Sequence, residues 1–266
     1  MKIAIFGPGV MGRALALGLQ GKTSDISLHL GTRTEASAVE VEAELGIPAS
    51  ADPATVVEGA DVVVFCLKPF KVMGVLDAIG ASMPDHAVAV SIAAGVSLRQ
   101  LAMGLPEGQA LVRAMPNTPC RIGAGMTVLS AAPQVTEAQL QQVQEVFDVL
   151  GEVLVLEEEH MDAVTGLSAS GPAFLYLVIE ALTDGGVMAG LPRDVALQLA
   201  THATKGAASM VEATGEHPAQ LRDAVTTPAG CTISALLRLE DGKLRSVLAR
   251  GVQEAAERAS GLGDDA

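Results

Sequence analysis

The chain has 266 residues against about 150 for an average domain, so it holds one large or two medium domains with enough length for real cores. Hydrophobic residues make up 49% and charged residues 18%, which excludes a disordered chain, and 17 Lys+Arg against 31 Asp+Glu leave a formal charge of -14, which argues against extended binding of nucleic acid or anionic membranes. With 5 Phe, 1 Tyr and no Trp, aromatic stacking platforms are nearly absent, and packing falls to Ala, Val, Leu and Gly, which favours helices crossing closely through small side chains.

In chain order, residues 2–6, 26–30, 61–67, 87–92 and 110–113 are short apolar, β-rich runs separated by Ala/Leu/Glu-rich stretches long enough for crossover helices. That alternation predicts an α/β domain with a doubly wound parallel sheet. Two further runs, 125–129 and 152–155, read as a hairpin-like pair around a helix that opens with Thr136-Glu137-Ala138-Gln139, a capping box. From Met161 onward only helical periodicity remains, over 174–188, 193–212, 219–225, 233–239 and 243–260. Breaks fall at Gly190-Leu191-Pro192, at 215–218, at 227–230 and at Asp241-Gly242. The expected division is therefore an α/β domain over 1–160 and an all-helical domain over 161–266, both acidic, with residues 261–266 as a frayed tail.

Gly7-Pro8-Gly9-Val10-Met11-Gly12 follows the first strand directly and opens a helix over 10–20. In a GxGxxG turn the first glycine makes the tight bend, the second lets the backbone approach a pyrophosphate, and the third lets the helix pack on the strand, with the helix N-terminus facing the anion. The position between strand and helix makes this a dinucleotide-binding loop. The second strand ends at Gly31-Thr32-Arg33-Thr34, with no acid before Glu35 to hold a ribose hydroxyl. Arg33 flanked by hydroxyls suits a 2′-phosphate, so NADPH is expected over NADH.

Cys66, Cys120 and Cys231 form no CxxC and are odd in number, which suggests neither a disulfide framework nor a zinc site; a reducing cytoplasm fits best. Cys66 and Cys120 read as small buried hydrophobes. The five histidines are scattered, without an HxxxH pair, so no metal is expected. Export is disfavoured because Gly7, Pro8, Gly9, Gly12 and Arg13 interrupt the apolar start. No uninterrupted apolar run reaches the roughly 18 residues of a membrane span, the longest being 173–179, so no membrane association is expected.

Four more segments narrow the reading: Phe65-Cys66-Leu67-Lys68-Pro69; Arg113-Ala114-Met115-Pro116-Asn117-Thr118-Pro119; Leu167-Ser168-Ala169-Ser170-Gly171-Pro172-Ala173-Phe174; and Asp223-Ala224-Val225-Thr226-Thr227-Pro228-Ala229-Gly230-Cys231-Thr232-Ile233. With the glycine loop they resemble, in order and over essentially the whole chain, the pyrroline-5-carboxylate reductase family, NAD(P)H enzymes of the last step of proline synthesis. Thr227, Ala229 and Cys231 stand where the family more often has Ser, Gly and Thr. The resemblance implies a Rossmann-type first domain and a helical dimerisation domain that intertwines with a second copy, with the substrate at that interface; some members assemble dimers into decamers. It also implies that Leu67, Lys68 and Pro69, together with Ala93 and Ala94, lie beside the cofactor, that Asn117 shapes the nicotinamide pocket, and that Glu158 presents an acid toward the imine nitrogen. Thr232 is implied as the hydrogen-bond partner of that nitrogen.

The chemistry suits these residues. Reducing the cyclic imine requires hydride delivery to the C=N carbon, and a protonated imine needs positioning more than a strong general acid. The substrate carboxylate can dock on free N–H groups at the start of the helix after Thr227 and Gly230, around Cys231 and Thr232, so the attraction is local despite the overall charge. The competing readings are a β-hydroxyacid dehydrogenase-like reductase, which would rely on a lysine in the helical domain, and a non-catalytic NADPH-sensing regulator. The only lysines after Met161 are Lys205 and Lys243, neither in such a motif.

Overall fold

A computed structural model describes residues 1–22 and 25–262; residues 263–266, most of the expected tail, lie outside them. It divides into two compact units, one of Met1–Ser170 with Gln253–Ala266 and one of Gly171–Val252.

The first unit is built on strands β1 (Lys2–Phe6), β2 (Ser27–Gly31), β3 (Ala49–Ser50), β4 (Val62–Phe65), β5 (Val88–Ser91), β6 (Ala110–Pro116), β7 (Gly125–Ala131) and β8 (Gly151–Val155). Among them run α1 (Val10–Gln20), α2 (Glu35–Leu45), α3 (Pro53–Val57), α4 (Pro69–Ile79), α5 (Leu98–Ala102), α6 (Glu137–Phe147) and α7 (Met161–Val164). The sheet order is β3-β2-β1-β4-β5-β6-β7-β8. Every pair is parallel except β6 with β7, so the sheet is mostly rather than wholly parallel. The expected hairpin is corrected too: β7 and β8 pair parallel, Gly125 with Gly151 through Leu129 with Val155, because α6 carries the chain back over the sheet between them.

The central strands are buried on both faces, as their unbroken Val, Ile and Ala runs require. One layer packs Leu15, Leu19, Val143 and Phe147 on Ile3, Ile5, Val64 and Val90; the other packs Val72, Leu76 and Leu101 on Ala4, Val63 and Ala89. Phe6 and Phe65 stack at 5.6 Å between centroids, so two of the five phenylalanines sit at the carboxyl end of β1 and β4. There the strand order reverses, since β1 is flanked by β2 and β4, and such a switch point opens a crevice.

After β8 the chain makes a short helical turn at Glu158–His160, then α7, then one π-helical turn at Thr165–Ala169, where Ser170 Oγ donates to the Thr165 carbonyl at 3.1 Å. Met161 is fully buried against Met115 and Val128. That docking keeps residues 161–170 with the sheet, so the compact unit ends later than the boundary expected at residue 160.

The second unit contains α8 (Gly171–Met188), α9 (Arg193–Thr214), α10 (Pro218–Ala224) and α11 (Cys231–Asp241), and α12 (Leu244–Ser260) begins in it. It has no strand. Helices α8 and α9 approach through small residues, as the composition suggested: a Cβ at Gly186 would lie 2.9 Å from that of Ala196. Within Gly171–Val252 only Thr183, Ala196 and Ala200 are buried, while Leu175, Tyr176, Leu177 and Met188 are exposed. One helical run, Glu158–Met188, reaches a mean hydropathy of 1.3 by length and composition, although polar residues interrupt it, so no uninterrupted apolar run within it spans 18 residues.

Candidate active site

The glycine loop joins β1 to α1 by contacts that leave one side open. Gly7 has φ +85, donates to the Gly31 carbonyl at 3.0 Å, and a Cβ on it would sit 2.6 Å from the Cys66 carbonyl oxygen. A Cβ on Gly12 would lie 2.4 Å from the Gly7 carbonyl oxygen, so that glycine sets how closely α1 lies on the loop. At Gly9 the added atom would meet nothing within 4 Å, yet Gly9 is the N-cap of α1 and offers no side chain to its first turn. The N–H groups of Val10, Met11 and Gly12 therefore begin a helix without a side-chain cap, beside open space. Arg13 steadies the loop by donating from Nε to the Pro8 carbonyl at 2.9 Å while pairing with Glu44.

A cleft of about 630 Å³ runs from Gly7, Pro8 and Gly9 past Thr32 and Arg33 to Leu67 and Lys68. Arg33 is exposed and, among the described residues, has no acidic partner. Thr34 caps α2 by accepting from the Ser37 backbone at 3.2 Å, and Ser37 also lines the cleft. Glu35, the first acid after Arg33 in sequence, is engaged elsewhere by the Ala51 N–H at 3.3 Å, and Glu40 lines the same cleft. Lys68 is the N-cap of α4, and Pro69 occupies the first helical position, where its missing N–H removes nothing. A phosphate-rich dinucleotide fits this arrangement of open backbone, uncapped helix and free cation.

Ala93 and Ala94 lie past the carboxyl end of β5, with Ala93 N donating to Ser91 Oγ at 3.2 Å; they and Asn117 do not line that cleft. Asn117 is a tether, accepting from Met126 N at 3.0 Å and donating from Nδ2 to the Ser168 carbonyl at 3.3 Å. The structure thus brings together the glycine loop, Arg33 and the end of β4, and places Ala93, Ala94 and Asn117 farther along the sheet edge. Glu158 is already engaged: its Oε1 accepts from Leu98 N at 2.6 Å and lies 3.5 Å from Arg113 Nη1. Cys66, expected to be buried, is half-buried against Gly7 and Gly12, and desolvation, with a smaller contribution from Cys120, pushes its thiol from 9.0 up to about 12. Cys120 is buried and its Sγ lies 3.5 Å from Met11 Sδ.

In the second unit, Thr227-Pro228-Ala229-Gly230 forms a turn closed by Gly230 N donating to the Thr227 carbonyl at 3.0 Å. Ala229 holds φ +56, and a Cβ on Gly230 would fall 2.4 Å from Thr227 Oγ1. Gly230 is the N-cap of α11 and supplies no side-chain bond, so Cys231, Thr232 and Ile233 present free N–H groups, with Thr232 half-buried at the second helical position. Sequence reasoning quoted but gave no role to Gly31, whose Cβ would strike the Phe6 ring at 2.3 Å, or to Arg113.

Comparison with known proteins agrees with this layout. The family described as pyrroline-5-carboxylate reductase dimerisation matches residues 158–262, and that described as NADP oxidoreductase, coenzyme F420-dependent, matches 2–95. A pyrroline-5-carboxylate reductase of Corynebacterium melassecola is 37% identical over 98% of both chains. A structure of a pyrroline-5-carboxylate reductase from Coxiella burnetii superimposes with TM-score 0.90 at 30% identity, covering 98% of this chain and 97% of that one. The Plasmodium falciparum pyrroline carboxylate reductase crystallised with NADP bound gives 0.87 at 27% identity over 99% and 98%. A mostly parallel dinucleotide-binding sheet, an all-helical second unit and these full-length likenesses make the chain a member of the pyrroline-5-carboxylate reductase family of NAD(P)H-dependent oxidoreductases.

Proposed function

We propose that this chain reduces the cyclic imine 1-pyrroline-5-carboxylate to L-proline, with NADPH preferred over NADH. The observation that carries the substrate assignment is α11: an uncapped helix start, preceded by a tight turn, with a hydroxyl at its second position. The cofactor is held by the Gly7-Pro8-Gly9-Val10-Met11-Gly12 loop, with the diphosphate on the first turn of α1, by Thr32 and Arg33 at the 2′-phosphate, and by the backbone of Leu67, Lys68, Pro69, Ala93 and Ala94. Bound there, the reduced nicotinamide supplies a hydride. The imine is protonated before it is reduced, so addition at carbon turns an iminium cation into a neutral amine and no strong acid is required. Backbone N–H groups of Cys231 and Thr232 hold the carboxylate, Thr227 and Gly230 shape the turn beneath it, and Thr232 Oγ1 orients the ring nitrogen. Asn117 shapes the pocket by tethering it, and Glu158, committed to Leu98 N and Arg113, serves as an anchor of the same region in place of a free acid.

The exposed apolar side chains of the second unit are covered, in this reading, by a second copy of the chain, in keeping with the dimerisation family that matches it. Free Cys66, Cys120 and Cys231 suit a cytoplasmic location. The test is NADPH oxidation with pyrroline-5-carboxylate, set against a panel of hydroxyacid precursors, with Thr232→Ala as the variant. A hydrogen bond to a charged group contributes roughly 1.5–3 kcal/mol, so Thr232→Ala should lose about 10- to 150-fold in turnover at unchanged thermal stability. Unimpaired turnover would remove Thr232 from the mechanism, and turnover only with hydroxyacid precursors would replace the substrate.

A further inference from the structure

Arg113 is the fourth residue of β6, in register with Ser91 on β5 and Ser130 on β7. Its side chain is 4% exposed, and its buried Nε has no hydrogen-bond partner. A buried guanidinium with an orphaned donor disfavours folding relative to a well-packed apolar side chain of similar volume, so stability alone does not account for it. Its remaining nitrogens have definite targets. Nη2 lies 3.2 Å from Asp162 Oδ1 and Nη1 3.5 Å from Glu158 Oε1, two carboxylates one helical turn apart on the segment by which the chain leaves the sheet. The same Glu158 oxygen accepts from Leu98 N at 2.6 Å, the first residue of α5, just beyond Ala93 and Ala94. Four positions after Arg113, Asn117 holds the Ser168 carbonyl within the π-helical turn. The end of β6 therefore grips the exit segment at two points, and through Glu158 it also fixes the start of α5.

We propose that Arg113 is a positioning residue for the reduction: by clamping Glu158 and Asp162 it holds in one geometry the Ala93–Leu98 side of the sheet edge and the exit segment over 158–170. This rests on the reductase reading for its chemistry, but the clamp itself is a property of the first unit alone.

The experiment compares wild type with Arg113→Lys, which keeps a cation but loses the planar fork, with Asp162→Asn, at a half-exposed side chain, and with the double variant. Gly9 and Arg33 lie in the loops that follow β1 and β2, away from the clamp, so NADPH affinity should fall no more than about threefold, through Ala93 and Ala94, and the thermal midpoint should stay near wild type. The kcat with pyrroline-5-carboxylate should fall about tenfold or more with little change in KM. The double variant should fall no further than the worse single one, as residues acting as a unit do. Independently of turnover, at saturating NADPH, amide exchange at Leu98 and over 158–170 should quicken in Arg113→Lys. Unchanged kcat and exchange would overturn the proposal, and so would a parallel fall of NADPH affinity, thermal midpoint and kcat, the mark of a merely structural residue. If wild type fails to turn over the imine, the reductase reading fails, and the exchange measurement alone decides the clamp: faster exchange upholds it and unchanged exchange overturns it.

Discussion

The glycine loop gives a prediction in which folding and binding separate at neighbouring positions. Gly9 has φ -81 and ψ -159, an extended conformation open to any residue, and an added methyl would meet nothing within 4 Å. Gly9→Ala should therefore leave the protein without cofactor as stable as wild type, or more stable by up to about 0.4–1 kcal/mol through the lost freedom of the unfolded chain. In the proposed binding mode the methyl would instead occupy the space assigned to the diphosphate. Displacing one charged hydrogen bond at the first turn of α1 costs about 1.5–3 kcal/mol, which raises the Kd for NADPH about 10- to 150-fold. Gly12→Ala behaves in the opposite way: its methyl would stand 2.4 Å from the Gly7 carbonyl oxygen, a backbone atom, and such overpacking costs about 1–3 kcal/mol of stability. Urea unfolding without cofactor, combined with fluorescence titration by NADPH, measures both. Gly9→Ala that unfolds earlier than wild type, or that binds NADPH with wild-type affinity, would refute the assignment of that space to the cofactor.

Arg33→Ala should lower kcat/KM for NADPH by about 10- to 150-fold and leave that for NADH nearly unchanged; an unaltered preference would move the 2′-phosphate elsewhere. Ala229 sits at φ +56 after Pro228, the position of a type II turn that favours glycine. A left-handed L-residue costs roughly 1–2 kcal/mol, partly offset by the entropy glycine loses on folding, so Ala229→Gly should raise stability by about 0.5–1 kcal/mol; an equal or lower urea midpoint would count against strain there. Cys66 is held neutral, with its thiol pushed from 9.0 up to about 12 mainly by burial. A raised pKa on an acid means that this contribution to stability is complete below pH 9 and is lost as pH rises toward 12, so Cys66→Ala should lose less stability than wild type between pH 9 and pH 12. At pH 8 iodoacetamide should modify the half-buried Cys66 more slowly in the native protein than in urea, and equal labelling rates in the two would contradict its raised pKa.

Much of the first unit is legible because its strands are buried on both faces and read as continuous apolar runs: Val62-Val63-Val64-Phe65 leaves no other reading between two turns. The glycine loop is legible for the same local reason, since three glycines do three different things within six residues. What escaped is non-local. The direction of β8 is set by α6 lying between it and β7, and β3 has two residues, too few for a pattern. The apolar character of Glu158–Met188 is spread across a helix interrupted by Ser168, Ser170 and Glu180, so it shows in the average and in no single run. Glu158 is one of three consecutive glutamates, and its place is decided by Leu98 N and Arg113, residues 60 and 45 positions away. No sequence spacing distinguishes it from its neighbours.

With a net charge of -14, the two anions of the proposed reaction would have to be held by local features, and helix caps are the clearest guide. Side chains cap α2 from Thr34, α3 from Asp52, α5 from Ser97, α6 from Thr136 and α10 from His217. These helices satisfy their first turns internally and have no need of a ligand. Two helices instead begin at a glycine without a side-chain bond, α1 at Gly9 and α11 at Gly230. Neither has an acidic residue in its first turn, so their N–H groups and positive ends stay available to a diphosphate and to a carboxylate. Attraction of this kind falls off within a turn of helix and does not depend on the sign of the distant surface. In the proposed binding mode the surface can therefore stay acidic while Arg33, in a cleft that Arg13, Lys68 and Lys71 also line, adds the charge that would distinguish a phosphorylated ribose, and adding acids far from the cleft should leave NADPH affinity almost untouched at physiological salt.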